Sequence, residues 1–215
     1  MELTKRTVVV HGGREVAILI PVTVHCGIAA GQDTKGSVYM WGNGSGYQFL
    51  TQCFAVAAEL AHNEILYLPM RYEASEHFRE MFCDCDWNFD LICVNYCETQ
   101  LTPKHIDKAL SVKIYSEQAV RCEPAINTAY VDEWKTHRRL TVKAYKRSIY
   151  VSTNRDGFSS LAHGASLMAA CDGCHEEDGL AYVHYDWSEN TSASLGVTLY
   201  HWQDRAERDV EARSL

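Results

Sequence analysis

The 215-residue chain reads as an α+β protein, and three observations predict it. Short apolar, strand-like runs outnumber helical stretches from one end to the other. One stretch, Gly36 to His62, reads as an apolar strand, a glycine loop (Gly42-Asn-Gly-Ser-Gly46) and a long helix. A second stretch repeats that order: Ser37-Val-Tyr-Met, Asn43, Gly46-Tyr47 and Leu50 are echoed by Ser148-Ile-Tyr-Val, Asn154, Gly157-Phe158 and Leu161. The same strand–turn–helix unit stands twice in the chain.

The first of these helices is the clearest element. At about 100° per residue, Gln48, Thr51, Gln52, Glu59 and His62 fall on one narrow stripe. Ala55 is the only apolar residue on that stripe, and the rest of the helix is apolar or small. The pattern predicts a helix with a thin wet face, covered nearly all round, and hence a central packing element.

The other elements follow in order. Thr7-Val-Val-Val-His11 reads as a strand, Gly12-Gly-Arg14 as a hairpin turn, and Glu15 to Cys26 as a second strand buried on both faces. Gly27 to Lys35 reads as a loop. Glu64 to Pro69 is a connector or short strand ended by the proline, and Arg71 to Phe82 a helix. Phe89 to Tyr96 is a buried strand, Leu101 to Lys108 a turn region, and Ala109 to Tyr115 a further strand. Ser116 to Arg139 gives no clear periodicity. Leu140 to Thr153 is one or two strands, and Phe158 to Ala170 a helix with a stripe of Phe158, Leu161, Ala165 and Met168. Leu180 to Trp187 and Ser194 to Trp202 are strands, and Gln203 to Leu215 is a charged tail.

With 47% hydrophobic residues and no linker-like segment, residues 1–215 are expected to form a single domain with a substantial core. The net charge of −8 argues against a nucleic-acid partner, and its spread argues against a DNA mimic. No apolar run reaches the roughly 18 residues needed to cross a membrane. Met1-Glu-Leu-Thr-Lys-Arg does not read as a signal peptide. Nine cysteines at irregular spacing suit a reducing compartment. The expected place is the cytoplasm, with the nucleus as a second compartment.

Several residues invite chemistry. Gly42, Gly44 and Gly46 open a helix after a strand, where free helix N–H groups can hold a phosphate, a nucleotide or S-adenosylmethionine. Met40 stands where a methyltransferase loop usually carries an acid, and the spacing is not a dinucleotide fingerprint. The alternative is a tight turn that lets a buried helix start against a sheet. Cys171-Asp-Gly-Cys174-His175 matches a haem-attachment string but follows an Ala-rich helix, and reads as a helix end and turn. Cys83, Cys85, Cys93 and Cys97 lack the spacing of a zinc ribbon or finger. Neither metal nor cofactor is expected. His11, His25, His62 and His163 form no set with a nucleophile that sequence can justify. Thr7 is the one nucleophile candidate: a freed N-terminal threonine attacks an amide with its own amine as base.

Taken together, these strings resemble the β-type subunits of the 20S proteasome, of the N-terminal-nucleophile fold. Thr7-Val-Val-Val-His-Gly-Gly-Arg-Glu-Val-Ala-Ile-Leu19 is similar to the family's opening hairpin. Val38-Tyr-Met-Trp-Gly-Asn-Gly-Ser-Gly46 with Phe49-Leu50 resembles its strand, turn and first helix, and Phe89 to Glu98 a later strand. Ile149-Tyr150 through Phe158 to Leu161 is similar to its later strand–helix junction, and Asp186 to Trp202 to its closing strand pair. The resemblance spans most of the chain outside 117–146 and rests on the order of the strings. It implies a four-layer helix–sheet–sheet–helix sandwich with two antiparallel sheets. It also implies a place in a seven-membered ring, with α-type and β-type proteasome-like subunits as neighbours.

The departures imply an inactive member. Active subunits carry an Asp at the end of the second strand and a Lys soon after. Here that strand gives Ile20-Pro-Val-Thr-Val24, and Lys35 is displaced. The expectation is a non-catalytic structural subunit of a proteasome-like core particle, a threonine-type peptidase complex, serving protein degradation. Trp134, Trp187 and Trp202 are candidate contact residues. Three alternatives stand beside it: an amide hydrolase using Thr7 after processing, a small-molecule or S-adenosylmethionine-dependent transferase using the Gly42–Gly46 loop, and a stand-alone acidic binding or inhibitor protein.

Overall fold

The computed structural model describes residues 1–10, 12–23, 27–70, 76–95, 101–125, 140–170, 181–185 and 197–201. The strands are β1 (Glu2–Val10), β2 (Arg14–Pro21), β3 (Ile28–Asp33), β4 (Val38–Gly42), β5 (Glu64–Leu68), β6 (Cys85–Trp87), β7 (Asp90–Asn95), β8 (Ser116–Arg121), β9 (Thr141–Tyr145), β10 (Ser148–Thr153), β11 (Ala181–Tyr185) and β12 (Val197–His201). The helices are α1 (Gly44–Ala58), α2 (Glu76–Met81), α3 (Pro103–Ser111) and α4 (Arg155–Ala170).

The strands form two sheets. The larger has the order β8-β1-β2-β5-β7-β10-β9 and the smaller β11-β12-β4-β3-β6. Neither is purely antiparallel, which corrects the expected pairing. In the larger sheet β2 runs parallel to β5, and β7 parallel to β10. In the smaller sheet β12 runs parallel to β4.

The layer order also differs from the expected helix–sheet–sheet–helix stack. The main core joins inward side chains of the larger sheet (Leu66, Leu91, Val151) to those of the smaller sheet (Ala30, Met40, Leu199) through α1 and α4. The helix pair therefore lies between the sheets. Gly44 at the start of α1 approaches the Ala169 carbonyl at the end of α4, so the two helices are antiparallel. Phe54 stacks on Phe158 between them, with ring centroids 6.4 Å apart. The physical reason is on the surface of α1. Gln48, Gln52 and Glu59 share one narrow stripe and are exposed, but Val56, Cys53, Leu50, Tyr47, Thr51 and Ala55 are buried and spread over the rest of the circumference. One sheet cannot cover such a helix, and two can. The shorter helices take the outer faces. Ile106 and Ala109 of α3 cover Val8, Ile18, Ile65 and Ile92 of the larger sheet. Phe78 of α2 covers Ala29 and Trp41 of the smaller one.

The repeated unit of the sequence is present as structure. The β3–β4 hairpin lies in the smaller sheet, and α1 carries the chain across to β5 and β7 in the larger. The β9–β10 hairpin lies in the larger sheet, and α4 carries the chain back to β11 and β12 in the smaller. Each unit ends on a strand parallel to the other unit's hairpin: β7 beside β10, and β12 beside β4. The two copies are interlocked.

Some expected elements move. Gly27–Lys35 is not a loop, because Ile28–Asp33 form β3. At Gly31 a small residue is required because large neighbours cross the strand: a Cβ there would lie 2.9 Å from the Trp41 ring and 2.5 Å from the Asp86 carbonyl oxygen. Pro103–Ser111 is a helix, where a turn and then a strand were expected. Thr102 caps it by accepting from the His105 N–H, and Pro103 occupies the first turn, where its missing donor costs nothing. The second strand stops at Pro21 rather than Cys26. The tail, Trp134, Trp187, Trp202 and the Cys171–His175 string lie outside the described residues.

Candidate functional site

The Gly42–Gly46 loop is filled by the protein itself. Asn43 caps α1, its side-chain oxygen accepting the Gly46 N–H at 2.9 Å. The Asn43 N–H donates to the Gly27 carbonyl at 3.0 Å. A Cβ on Gly46 would lie 2.0 Å from that carbonyl oxygen, and one on Gly42 would lie 2.4 Å from Ile28 Cδ1. A phosphate needs open donors and a positive rim. Here backbone carbonyl and Ile28 stand against the loop instead. The glycines serve a close approach of two chain segments.

Thr7 lies in the interior of β1, not at a strand start. It is paired with Ala17 of β2 on one side and Ser116 of β8 on the other. Its carbonyl accepts the Tyr115 N–H at 2.8 Å. Leu3, four residues earlier, is fully buried in the main core. Freeing the Thr7 amine would remove that anchor and half the ladder of a central strand. Lys35, the displaced lysine, sits in the β3–β4 turn of the other sheet. The structure does not bring the two together.

The cysteines and histidines are dispersed. Cys93 is buried on the inner face of the larger sheet, where burial pushes its thiol pKa far up. Cys85 belongs to the edge of the smaller sheet, and burial, with Asp33 and Asp84 nearby, pushes its pKa up to about 11. Cys83 is exposed, and Cys97 lies outside the described residues. Among the described residues no group of three or more His, Cys, Asp or Glu gathers as a metal site. His62 is exposed, and His163 is half-buried on α4; His11 and His25 lie outside the described residues.

A site that the sequence did not single out lies on the outer face of the smaller sheet. β4 directs Val38 and Met40 inward and Tyr39 and Trp41 outward, and Tyr200 of β12 is the register partner of Trp41. Phe82, just after α2, closes the group. The ring centroids make a closed circuit: Tyr39 to Trp41 5.5 Å, Trp41 to Phe82 5.2 Å, Phe82 to Tyr200 6.2 Å, and Tyr200 to Tyr39 5.8 Å. All four rings line a surface cleft of about 240 Å³, with Asp33, Asp84 and Lys35 among its polar groups. Asp33 is held by its turn, accepting from the Lys35 and Ser37 N–H groups at 2.9 and 2.8 Å and from the Tyr39 hydroxyl at 2.9 Å. Burial acts to raise its pKa, but these hydrogen bonds outweigh burial and hold it below the usual carboxylate value. Asp33 is an anion at neutral pH. The alternation of Tyr39 and Trp41 with apolar residues was the available signal, but an outward aromatic on a covered sheet reads as core until the helix above it is placed.

No protein-family model matches the chain, and no curated protein or solved structure compared with it matches either. Among the described residues no helix is long and apolar enough to cross a membrane.

Proposed function

We propose that the chain is a non-catalytic binding protein that engages a basic protein partner through its acidic surface. One observation carries this reading: among the described residues, the nucleophile candidate and the glycine loop are both occupied by the fold. Thr7 is bonded on both sides within a sheet, and the Gly42–Gly46 loop is closed by Gly27 and Ile28. The chain carries a net charge of −8, and the described surface holds an aromatic cleft flanked by carboxylates. Such a protein is recognised by complementary potential and a few buried anchors.

The ring-subunit role is the second reading. It is favoured by the order of the resembling strings, and it is equally non-catalytic. The four-layer sandwich of that family would put the α1 and α4 layers outside two facing sheets, and the position of this helix pair between the sheets weighs against it.

Native mass of the chain isolated from its source separates these readings. A binding protein is expected in a small complex larger than the 24.3 kDa chain that falls apart as salt is raised. A ring-sized, salt-stable particle would replace this reading with the ring subunit. A lone chain at low and high salt would overturn both. In the same spectra, a mature chain beginning at Thr7 would restore the hydrolase.

A further inference from the structure

The larger sheet ends in a bare edge. β8 pairs with β1 on one side and, among the described residues, with no strand on the other. Its backbone direction follows from the pair at its end: the Cys122 N–H donates to the Met1 carbonyl at 2.9 Å, and the Cys122 carbonyl accepts from the Met1 amino group at 2.6 Å. In an antiparallel ladder these groups alternate from residue to residue. Val120 and Gln118 therefore turn their N–H and C=O toward β1, and Glu117, Ala119 and Arg121 turn theirs outward. Protein edges are commonly blunted by lysine, proline or a bulge. β8 holds neither lysine nor proline, and its register with β1 runs unbroken from Ser116 to Arg121. Every residue of it except Val120 is exposed. Val9, Ile114 and Tyr115, three exposed large apolar side chains, stand at the head of the same edge.

We infer that β8 pairs antiparallel with β8 of a second copy of the chain, across a two-fold axis at Ala119, and joins the two seven-stranded sheets into one. Charge selects both the occupant and the register. The ladder closes only if outward-turned residues face each other, so the axis passes through a residue and not between two. An axis at Ala119 sets Glu117 against the partner's Arg121, and Arg121 against the partner's Glu117. An axis at Val120 would set Glu117 against the partner's Glu123, and one at Gln118 would leave Glu117 facing the partner's Ala119. On the outer face Glu117 already meets Arg6 at 2.6 Å, and Arg121 is the register partner of Glu2. The row across the joined sheets then alternates in sign: Arg6, Glu117, the partner's Arg121, the partner's Glu2. The small side chain of Ala119 leaves room at the axis. β9, at the opposite edge, carries Lys143 at its middle, where self-pairing would face two ammonium groups. The net charge of −8 on each copy works against association and keeps the dimer dependent on concentration. This inference does not rest on the binding-protein reading.

Sedimentation equilibrium of the purified full chain, with no other protein present, tests it. The mass is expected to rise from 24.3 kDa toward twice that value between about 1 μM and about 1 mM. Ala119→Pro removes an outward N–H at the axis and leaves the β1 ladder intact, so it should weaken the dimer by about ten-fold or more. Glu117→Arg and Arg121→Glu, at exposed positions, each set like charges against each other and should each weaken it by about five-fold or more. An equimolar mixture of those two variants restores opposite charges at both positions, and should associate at least as well as the unmodified chain. A mass of 24.3 kDa throughout, a dimer indifferent to Ala119→Pro, or a mixture as weak as its components would overturn the pairing. In native mass from the source, a self-dimer shows this chain alone at twice its mass, whereas a complex with a basic partner shows a second protein, so either reading can fail without the other.

Discussion

The two strand–asparagine–helix junctions share a cap and differ in what stands against them. Asn43 accepts the Gly46 N–H, and Asn154 accepts the Gly157 N–H, each at 2.9 Å. In each, a Cβ on the glycine would lie 2.0 Å from an oxygen. For Gly46 that oxygen is the Gly27 carbonyl, and for Gly157 it is the hydroxyl of Thr153. The residue after each capped turn also differs. Tyr47 is fully buried, with its hydroxyl 2.8 and 2.7 Å from the Met40 and Tyr200 carbonyls, whereas Phe158 fills the matching place without a hydroxyl. A duplicated junction can thus keep its local code while its surroundings diverge. The first copy is locked by backbone and the second by a side chain. That is the behaviour of scaffold, because a ligand loop would keep its open face.

The sharpest way to break this comparison is to add one methyl group to each copy. Gly46→Ala meets backbone that cannot retreat, and should cost about 3 kcal/mol or more in urea unfolding. Gly157→Ala meets a removable side chain and should cost less, about 1–3 kcal/mol. In a Thr153→Ala background the Gly157→Ala penalty should shrink, a coupling that a double-mutant cycle reads directly. Equal penalties with no rescue would mean that the two junctions are not supported differently.

Tyr47→Phe makes the first copy match the second at this position. It should cost about 1–2 kcal/mol, because it leaves buried carbonyls without the hydroxyl. A neutral result would assign those carbonyls wholly to the sheet ladder. The smallest effects are expected where the copies agree. Asn43→Ala and Asn154→Ala should each cost about 1 kcal/mol, with similar values for the two. A large difference between them in the same unfolding measurement would show that the caps are not equivalent.

Much of this was legible in the sequence, and the clearest part was read from α1. Its narrow polar stripe of Gln48, Thr51, Gln52, Glu59 and His62 implied cover on nearly every side, although Thr51 is itself buried and His62 lies past the helix end. The resemblance to a sandwich with outer helices pulled the other way, and the burial of α1 follows the stripe. The repeat at Asn43 and Asn154 was visible because a cap and a glycine three residues on are local requirements. β3 was hidden because Gly31 is chosen for what crosses it, Trp41 and Trp87, and not for strand propensity. α3 was hidden by its short amphipathic stripe, although Thr102-Pro103 carried the start signal. The aromatic cleft was not legible, because Tyr39 and Trp41 meet Tyr200 only through a parallel pairing more than 150 residues away in sequence.

Amide hydrogen exchange in the native state tests the central placement of the helix pair most directly. If α1 and α4 lie between the sheets, the amides of Leu50 to Ala58 and Leu161 to Met168 should exchange only through global unfolding. Those of α3, on an outer face, should exchange faster through local opening. Exchange of α1 as fast as that of α3 would contradict a helix layer enclosed by two sheets.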